Sequence, residues 1–210
     1  MSLKVIELGL VDFQDAWARQ RELFREVKES RLRCGLIVCR HYPAITVSRR
    51  ANRNNILAPP DELKNRGIGI YAVERGGDVT YHGPGQLIAY PVFNLNYFKK
   101  DIHWFLRFLE GLIIRCLEES GIKGDRVEGL TGVWAGRSKI AAIGIAVRNW
   151  ITFHGLSLNV QNSDLSNFSL IRPCGMDIMV TSMETVSGKA IPIEKIQRDL
   201  VNLFKTSCGI

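Results

Sequence analysis

Residues 75–86 read R-G-G-D-V-T-Y-H-G-P-G-Q, and the apolar run L-I-A-Y-P-V follows at 87–92. Four glycines and a proline within these twelve residues predict a loop, because glycine tolerates positive φ values and lets the backbone approach a ligand closely. Arg75, Thr80 and His82 give this loop hydrogen-bonding side chains. The apolar run after it is typical of a strand. We therefore expect a ligand-binding loop that leads into a buried strand.

This loop matches neither of the common phosphate-binding patterns. It lacks G-x-x-x-x-G-K-[ST], and it lacks a G-x-G-x-x-G that opens a helix. We expect its ligand to be bound by a mechanism other than those two nucleotide-binding ones.

The composition is that of an ordinary globular protein. The chain has 210 residues, 46% hydrophobic and 23% charged, which suits one soluble domain over residues 1–210. No apolar run reaches the ~18 residues that a membrane-spanning helix needs, and residues 1–9 alternate like a strand and do not form a signal peptide. The five cysteines, an odd number, indicate reduced thiols. We expect a cytoplasmic protein, or the mature form of an organellar one.

The formal net charge of +7 predicts an acidic partner. Nucleic acid is disfavoured because the basic residues are scattered, and their densest cluster, Arg49, Arg50 and Arg53, is short. Most of these charges also fit a solvated surface that has no partner.

Cys34 and Cys39 are five residues apart with His41 nearby, a grouping that suggests a metal site. The two cysteines fall on one predicted strand, where residues at an odd separation point to opposite faces. No second ligand pair follows at zinc spacing. We therefore expect no metal to bind here.

Apolar periodicity predicts three long helices and several strands. Helices are expected at about residues 13–30, 101–120 and 193–206, with a short one from residue 59, and strands at 3–8, 36–39, 45–47, 67–73, 87–92, 132–135, 139–147 and 150–160. Cys116 lies on the apolar stripe of the second helix, so we expect it to be buried. Strands in adjacent runs with few helices between them indicate an α+β fold and not a doubly wound sheet.

Two reactive side chains stand out in the second half of the chain. Cys174 lies in a loop-like stretch, residues 167–175, and stands between Pro173 and Gly175, so it is either a displayed nucleophile or an ordinary loop cysteine. Lys139 opens a strand that is apolar or glycine throughout residues 140–147. It is either a chemically active group or a strand-end lysine whose ammonium reaches solvent.

The motif at 75–86 resembles the signature of the lipoyl(octanoyl) transferases, the enzymes that begin protein lipoylation. Two further segments resemble that family in order and spacing: K-I-A-A-I-G at 139–144, which runs on to W-I-T-F-H-G-L-S-L-N-V at 150–160, and P-C-G at 173–175. Residues 40–48 depart from the family, which usually has an acidic residue before the His and a Gly at the end. The resemblance extends over nearly the whole chain. It implies the catalytic-domain fold of biotin and lipoate protein ligases, a single domain in which helices pack on a mainly antiparallel or mixed sheet.

The resemblance implies octanoyl transfer without cofactor, ATP or metal. Cys174 would attack the thioester of octanoyl-acyl carrier protein and carry the octanoyl group as a thioester, which a lysine of a lipoyl domain then takes. Lys139 would pair with Cys174 and accept the proton of the attacking amine. The implied partners are octanoyl-acyl carrier protein, which is acidic, and the lipoyl domains of 2-oxoacid dehydrogenases and the glycine cleavage H protein. No nucleic acid and no membrane is expected as a partner, and the protein is expected to be a monomer.

By the same resemblance, three segments with several small residues line the substrate site and leave a slot for an acyl chain. These substrate-binding residues are Arg75, Gly76, Gly77, Asp78, Val79, Thr80, Tyr81, His82, Ala142, Ile143, Gly144, Gly155, Leu156 and Ser157.

Three other functions remain open. An ATP-dependent lipoate or biotin protein ligase shares the fold, but its glycine loop typically continues past the His with an acidic residue, whereas Gly83-Pro84-Gly85 follows His82 here. A protein-to-protein octanoyl amidotransferase also uses a cysteine, and the context of Lys139 and Cys174 favours the carrier-dependent enzyme over it. A non-catalytic module that binds acyl carrier proteins would need neither side chain.

Overall fold

Two β-sheets and their packed helices make up the structure, a computed structural model that describes residues 3–173 and 178–207. The strands are β1 Lys4–Val11, β2 Cys34–His41, β3 Ala44–Ser48, β4 Gly69–Val73, β5 Val79–His82, β6 Gln86–Phe93, β7 Val133–Ala135, β8 Ser138–Arg148 and β9 Ile151–Asn159. The α-helices in these ranges are α1 Phe13–Lys28, α2 Pro60–Asn65, α3 Ile102–Glu118, α4 Met183–Ser187 and α5 Ile193–Ser207, and short 3-10 helices cover Arg53–Asn55, Leu95–Tyr97 and Leu165–Leu170. Within the described residues, none of the helices combines the length and the apolar character needed to cross a membrane.

The larger sheet has the strand order β1-β2-β6-β9-β8-β7. In it β1 runs parallel to β2, and the other neighbouring pairs are antiparallel. The smaller sheet has the order β4-β3-β5, with β3 parallel to β4 and antiparallel to β5. The predicted α+β fold with a mainly antiparallel, mixed sheet is confirmed. The division of the strands between two sheets is not evident from the sequence.

Both faces of the larger sheet are buried under helices. Successive side chains of a strand point to opposite sides, so each strand contributes to both buried layers. Helices α3 and α5 cover one face, and α1 covers the other. Cys34 packs in the first of these layers and Cys39 in the second, so the prediction that they face opposite ways is confirmed.

Helix α3 begins and ends close to the predicted positions. The Asp101 carboxylate accepts a hydrogen bond from the backbone N–H of Trp104 at 3.0 Å and so caps the first turn. Gly121 has φ +72°, the left-handed conformation that commonly follows a helix end. Cys116 is fully buried as a free thiol, as its place on the apolar stripe predicts.

Several local predictions need correction. Residues 79–82, expected in a loop, form β5 because they pair with β3, and β5 divides the expected loop into two short ones, at 75–78 and 83–85. Asp12 directly precedes α1, the position where an aspartate commonly caps a helix, but its side chain makes no capping hydrogen bond. Residues 167–170, expected to be loop-like, belong to a 3-10 helix, and α4 lies where no helix is expected.

Candidate active site

Residues from both sheets line a cavity of about 380 Å³. Strands β3 and β5 contribute from the smaller sheet, β8 and β9 contribute from the larger one, and the loop residues 129–131 before β7 form a further wall. The exposed surface of the lining is mainly apolar, so the cavity suits a ligand with a substantial apolar part.

Most of the substrate-binding residues named from the sequence lie along this cavity. They are Arg75, Gly76, Gly77, Asp78, Val79, Thr80, His82, Ala142, Ile143, Gly144, Gly155, Leu156 and Ser157. They fall in three segments, at 75–82, 142–144 and 155–157, of which the first is distant in the sequence from the other two. The pairing of β8 with β9 brings the second and third side by side, with Ala142 opposite Ser157 and Gly144 opposite Gly155.

Tyr81 does not line the cavity. It lies between Thr80 and His82 on β5, and neighbouring residues of a strand point to opposite sides. Its ring is fully buried, 5.6 Å from the ring of Phe168 between centroids, and its hydroxyl accepts a hydrogen bond from Asn167 Nδ2 at 2.9 Å. Burial raises the pKa of the Tyr81 hydroxyl.

Residues 75–78, called the glycine-rich segment below, pack directly against β8. The Arg75 guanidinium donates to the carbonyl and hydroxyl oxygens of Thr46, each at 2.9 Å, and the Gly76 N–H donates to the Ile145 carbonyl at 2.8 Å. Gly144 leaves the space for this contact, because a Cβ atom there would lie 2.9 Å from the Gly76 carbonyl oxygen. The glycines thus allow a close approach of backbone to backbone, and Arg75 is fixed in the wall of the cavity.

Three glycines of the sequence motifs serve packing. The Gly85 N–H donates to Asp164 Oδ1 at 3.0 Å, and a Cβ atom at Gly83 or Gly85 would overlap the Asp164 carboxylate. A Cβ atom at Gly155 would overlap the Ala89 carbonyl of the neighbouring strand. Gly83 and Gly85 therefore hold the segment that leads towards residue 173, and they do not line the cavity.

Lys139 lies in the cavity wall with only 8% of its surface exposed, so the alternative of a lysine that extends into solvent is wrong. Its ammonium nitrogen lies 5.0 Å from the centroid of the Trp134 ring, a cation–π distance. Its backbone is also fixed: its N–H donates to the Met179 carbonyl at 2.8 Å, and its carbonyl accepts from the Thr181 N–H at 2.9 Å. The start of β8 is therefore bonded to the chain just after residues 174–177.

Cys174 lies outside the described residues. Pro173 and Ile178, the described residues on either side of this gap, both line the cavity.

Two buried histidines lie next to each other at the cavity: His82 lines it, and His41 packs against His82. The rings of His41 and His82 are 5.8 Å apart between centroids. His41 donates from Nδ1 to the Val11 carbonyl at 3.0 Å, and its Nε2 accepts from the Tyr90 hydroxyl at 2.7 Å. Burial lowers the pKa of His41, and burial, His41 and Arg75 together hold the pKa of His82 well below its usual range. Both imidazoles are therefore neutral near pH 7.

Arg75 and Lys139 supply the positive charge in the described part of the lining. Among the described residues, no group of three or more His, Cys, Asp or Glu side chains is placed to hold a metal ion. The arrangement can place a buried cation beside an apolar ligand, which stabilises a thiolate or a developing oxyanion.

Some lining residues were not identified from the sequence. Phe13 and Tyr90 have the pattern of ordinary core residues, and Thr46 and Trp134 lie on short strands without a motif. His154 lies within the segment 150–160 that carries the family resemblance, so that segment was the one signal that could have indicated it.

Comparison with known proteins agrees with this architecture. Residues 12–205 match the family described as the Lipoyl protein ligase A/B catalytic domain. An octanoyltransferase of Thermoanaerobacter sp. (strain X514) is 46% identical over 209 residues, which cover 99% of this chain and 90% of that protein. An octanoyltransferase of Desulforamulus reducens is 41% identical over 206 residues, which cover 97% and 90%. The structure of a bipartite lipoate protein ligase from Thermoplasma acidophilum, studied with its E2 lipoyl domain, matches with a TM-score of 0.78 at 17% identity, covering 100% of this chain and 85% of that one.

The chain therefore belongs to the lipoyl protein ligase A/B catalytic domain family. Since relatives that are 41–46% identical to it over nearly its whole length are octanoyltransferases, the protein is an enzyme of the acyltransferase class.

Proposed function

We propose that this protein transfers an octanoyl group from octanoyl-acyl carrier protein to a lysine of lipoyl domains through a thioester on Cys174. The observation that carries the proposal is a mainly apolar cavity that holds the buried Lys139 beside Pro173 and Ile178, the two residues that flank residues 174–177. Residues 1–210 act as one catalytic domain, and the enzyme works as a monomer.

Lys139 makes Cys174 a nucleophile by stabilising its thiolate. A free thiol with a pKa of ~8.5 is only a few per cent ionised at pH 7. An ammonium about 4 Å away at an effective dielectric constant of about 20 stabilises the thiolate by ~4 kcal/mol, part of which desolvation offsets. A net lowering of the thiol pKa by about 1.5 units leaves about half of the thiol ionised near neutral pH.

In the first half-reaction, the Cys174 thiolate attacks the carbonyl carbon of the octanoyl thioester. A new carbon–sulfur bond forms to Cys174, and the bond to the carrier's sulfur breaks. The Lys139 ammonium gives its proton to the departing thiolate of the carrier, which leaves as a thiol.

In the second half-reaction, the amine of the lipoyl-domain lysine attacks the octanoyl-Cys174 thioester. An amide bond forms, the carbon–sulfur bond to Cys174 breaks, and the neutral Lys139 amine takes up the proton that the attacking nitrogen loses. The Cys174 thiolate and the Lys139 ammonium are then restored. A thioester is converted to a more stable amide, so the reaction needs no ATP.

The cavity accounts for recognition of the acyl chain. Ala142, Ile143 and Leu156 give it apolar walls, and each buried methylene of the chain contributes ~0.8 kcal/mol. A lipoyl-domain acceptor is supported by the structural neighbour from Thermoplasma acidophilum, a lipoate protein ligase studied with its E2 lipoyl domain. An acidic carrier as the donor fits the net charge of +7.

The experiment that tests the proposal is intact-mass measurement after the protein is mixed with octanoyl-acyl carrier protein in the absence of ATP. We expect the mass of one octanoyl group to be added, and peptide mapping to place it on Cys174. Cys174→Ala should abolish the adduct. The matched control is Cys208→Ala, which removes a different thiol and should leave the adduct unchanged.

The second step is tested by adding a lipoyl domain to the acylated enzyme. The octanoyl mass should move to the lipoyl domain, and the enzyme should return to its original mass. Labelling that requires ATP would favour a ligase, and an unmodified Cys174 with an active enzyme would rule out the thioester route.

A further inference from the structure

Glu110 lies in the middle of α3 with 1% of its side chain exposed. A carboxylate is rarely buried so completely unless it is paired. Its Oε2 accepts hydrogen bonds from Arg107 at 2.7 Å and from Arg126 Nε at 2.9 Å, and its Oε1 accepts from the Gly132 N–H at 3.2 Å. Glu110 thereby ties α3 to both ends of the loop 126–132.

The loop 126–132 is a wall of the cavity, because Gly129, Leu130 and Thr131 line it. Residues 125–129 are all exposed, so packing in the core does not hold this part of the loop in place. The hydrogen bonds to Glu110 hold this part of the loop, together with the bond from the Arg126 guanidinium to the Arg107 carbonyl at 3.1 Å and the backbone pairing of Asp125 with Trp134.

The end of this loop touches Lys139. Gly132 has φ +133°, in the region that favours glycine, and a Cβ atom there would lie 2.6 Å from Lys139 Cε and 3.2 Å from its Nζ. The Gly132 backbone therefore limits the conformations that the Lys139 side chain can adopt. Displacing Gly132 would open space next to the ammonium group.

We propose that Glu110 is a positioning residue that holds the loop 126–132 against the cavity and, through Gly132, keeps the Lys139 ammonium in place. This inference rests on the proposed function, in which Lys139 serves Cys174. The effect of Glu110 on Lys139 is indirect and passes through Arg126 and Gly132.

A carboxylate suits this role because it offers two acceptor oxygens to the three donors around it. Glutamine has the same shape but only one acceptor oxygen. Whichever way its amide turns, the NH2 group faces either the Gly132 N–H or an arginine, so one of the two tethers is lost.

The first test is Glu110→Gln, measured by the pH dependence of Cys174 alkylation and by the rate of octanoyl transfer. Because Lys139 loses its fixed place, we expect the alkylation midpoint to rise by about one pH unit and kcat/KM to fall by about tenfold to a hundredfold. The matched control is Glu118→Gln, which changes an exposed glutamate of the same helix and should leave both measurements unchanged.

Arg126→Ala is the second variant, and it keeps the proposal testable if Glu110→Gln folds poorly. It removes the tether from an exposed loop residue while Glu110 keeps Arg107 and Gly132 as partners. We expect the same direction of change as for Glu110→Gln, with a smaller size. Wild-type alkylation and turnover in both variants would overturn the proposal.

Amide hydrogen exchange separates this inference from the proposed function. The Gly132 N–H should exchange at least about tenfold faster in Glu110→Met, which has no acceptor oxygen for this N–H, than in the wild type, whatever Cys174 does. If the wild type forms no octanoyl-Cys174, the proposed function fails. If it does form, and Glu110→Met retains wild-type exchange at Gly132, the positioning role fails alone.

A double-mutant cycle checks the route of the effect. In a Lys139→Ala background, Glu110→Gln should cause no further rise of the alkylation midpoint, because the group that it positions is already absent. Additive shifts would show that Glu110 acts on Cys174 by another route and would overturn the proposal.

Discussion

Lys139 is a buried lysine whose backbone is fixed independently of its ammonium group. The hydrogen bonds to Met179 and Thr181 involve main-chain atoms, so they survive a change of side chain. The role of the ammonium can therefore be tested without loosening the start of β8.

Lys139→Ala should raise the pH midpoint of Cys174 alkylation by about one to two units and slow acylation by about a hundredfold, because the thiolate loses its cation. The melting temperature should change little. The measurements are alkylation rate against pH, the single-turnover acylation rate and thermal unfolding. An unchanged alkylation profile would show that Lys139 and Cys174 do not interact.

Lys139→Arg is the companion variant. Arginine keeps the charge, but Gly132 leaves little room for a larger head group, and a guanidinium cannot take up a proton at neutral pH. We expect it to restore the alkylation profile better than the rate of transfer to the lipoyl domain.

At the scale of elements, the contact between the glycine-rich segment and β8 shapes the cavity. Strand β5, Val79–His82, fixes one end of this segment through its pairing with β3, and the Gly76 N–H fixes the other end on Ile145. The segment has no room to shift towards β8, because Gly144 already lies against it.

Gly144→Ala should push the glycine-rich segment away from β8, since the new Cβ would lie 2.9 Å from the Gly76 carbonyl oxygen and 3.0 Å from Arg75 Cδ. Overpacking of this kind costs about 1–3 kcal/mol of stability. We expect a lower free energy of unfolding in urea and a higher KM for the octanoyl donor.

Gly111→Ala is the matched control for that substitution. A Cβ at Gly111 would lie 3.5 Å from its nearest neighbour, an ordinary contact, and alanine in a helix gains about 0.5–1 kcal/mol over glycine. Equal destabilisation by the two variants would contradict the steric explanation.

At the scale of the whole molecule, the surplus of positive charge favours an acidic donor protein. Arg49 and Arg50 are exposed and directly follow β3, whose last residue, Ser48, donates through its hydroxyl to the Gly77 carbonyl at 2.7 Å. Of the basic residues, this pair is therefore well placed to meet a carrier that delivers its acyl chain to the cavity.

Arg49→Glu with Arg50→Glu should raise the KM for octanoyl-acyl carrier protein several-fold, and added salt should reduce the difference from the wild type. Turnover of a small uncharged octanoyl thioester should stay nearly the same, because the cavity is untouched. The matched control is Arg198→Glu with Lys205→Glu, which makes the same change of net charge at exposed positions on α5. Equal effects of the two pairs would place docking elsewhere or show only a net-charge effect.

The sequence alone determined the elements that depend on local pattern. The limits of α3, the burial of Cys116 and the opposite directions of Cys34 and Cys39 follow from side-chain direction over a few residues, which a helix or strand fixes geometrically. The motif at 75–86 likewise indicates the family by itself, because its residues are adjacent in the chain and need no folding to be recognised.

Only the tertiary structure decided which of these residues meet. Tyr81 points away from the cavity and Lys139 into it, and Gly83 contacts Asp164. Such contacts depend on how strands that are distant in the sequence pair and on which face of each strand becomes buried. A shift of one residue in the pairing register turns every side chain of a strand to the opposite face. Two of the three partners of Glu110, Arg126 and Gly132, likewise come from a loop 16 and 22 residues away, a separation over which local periodicity carries no information.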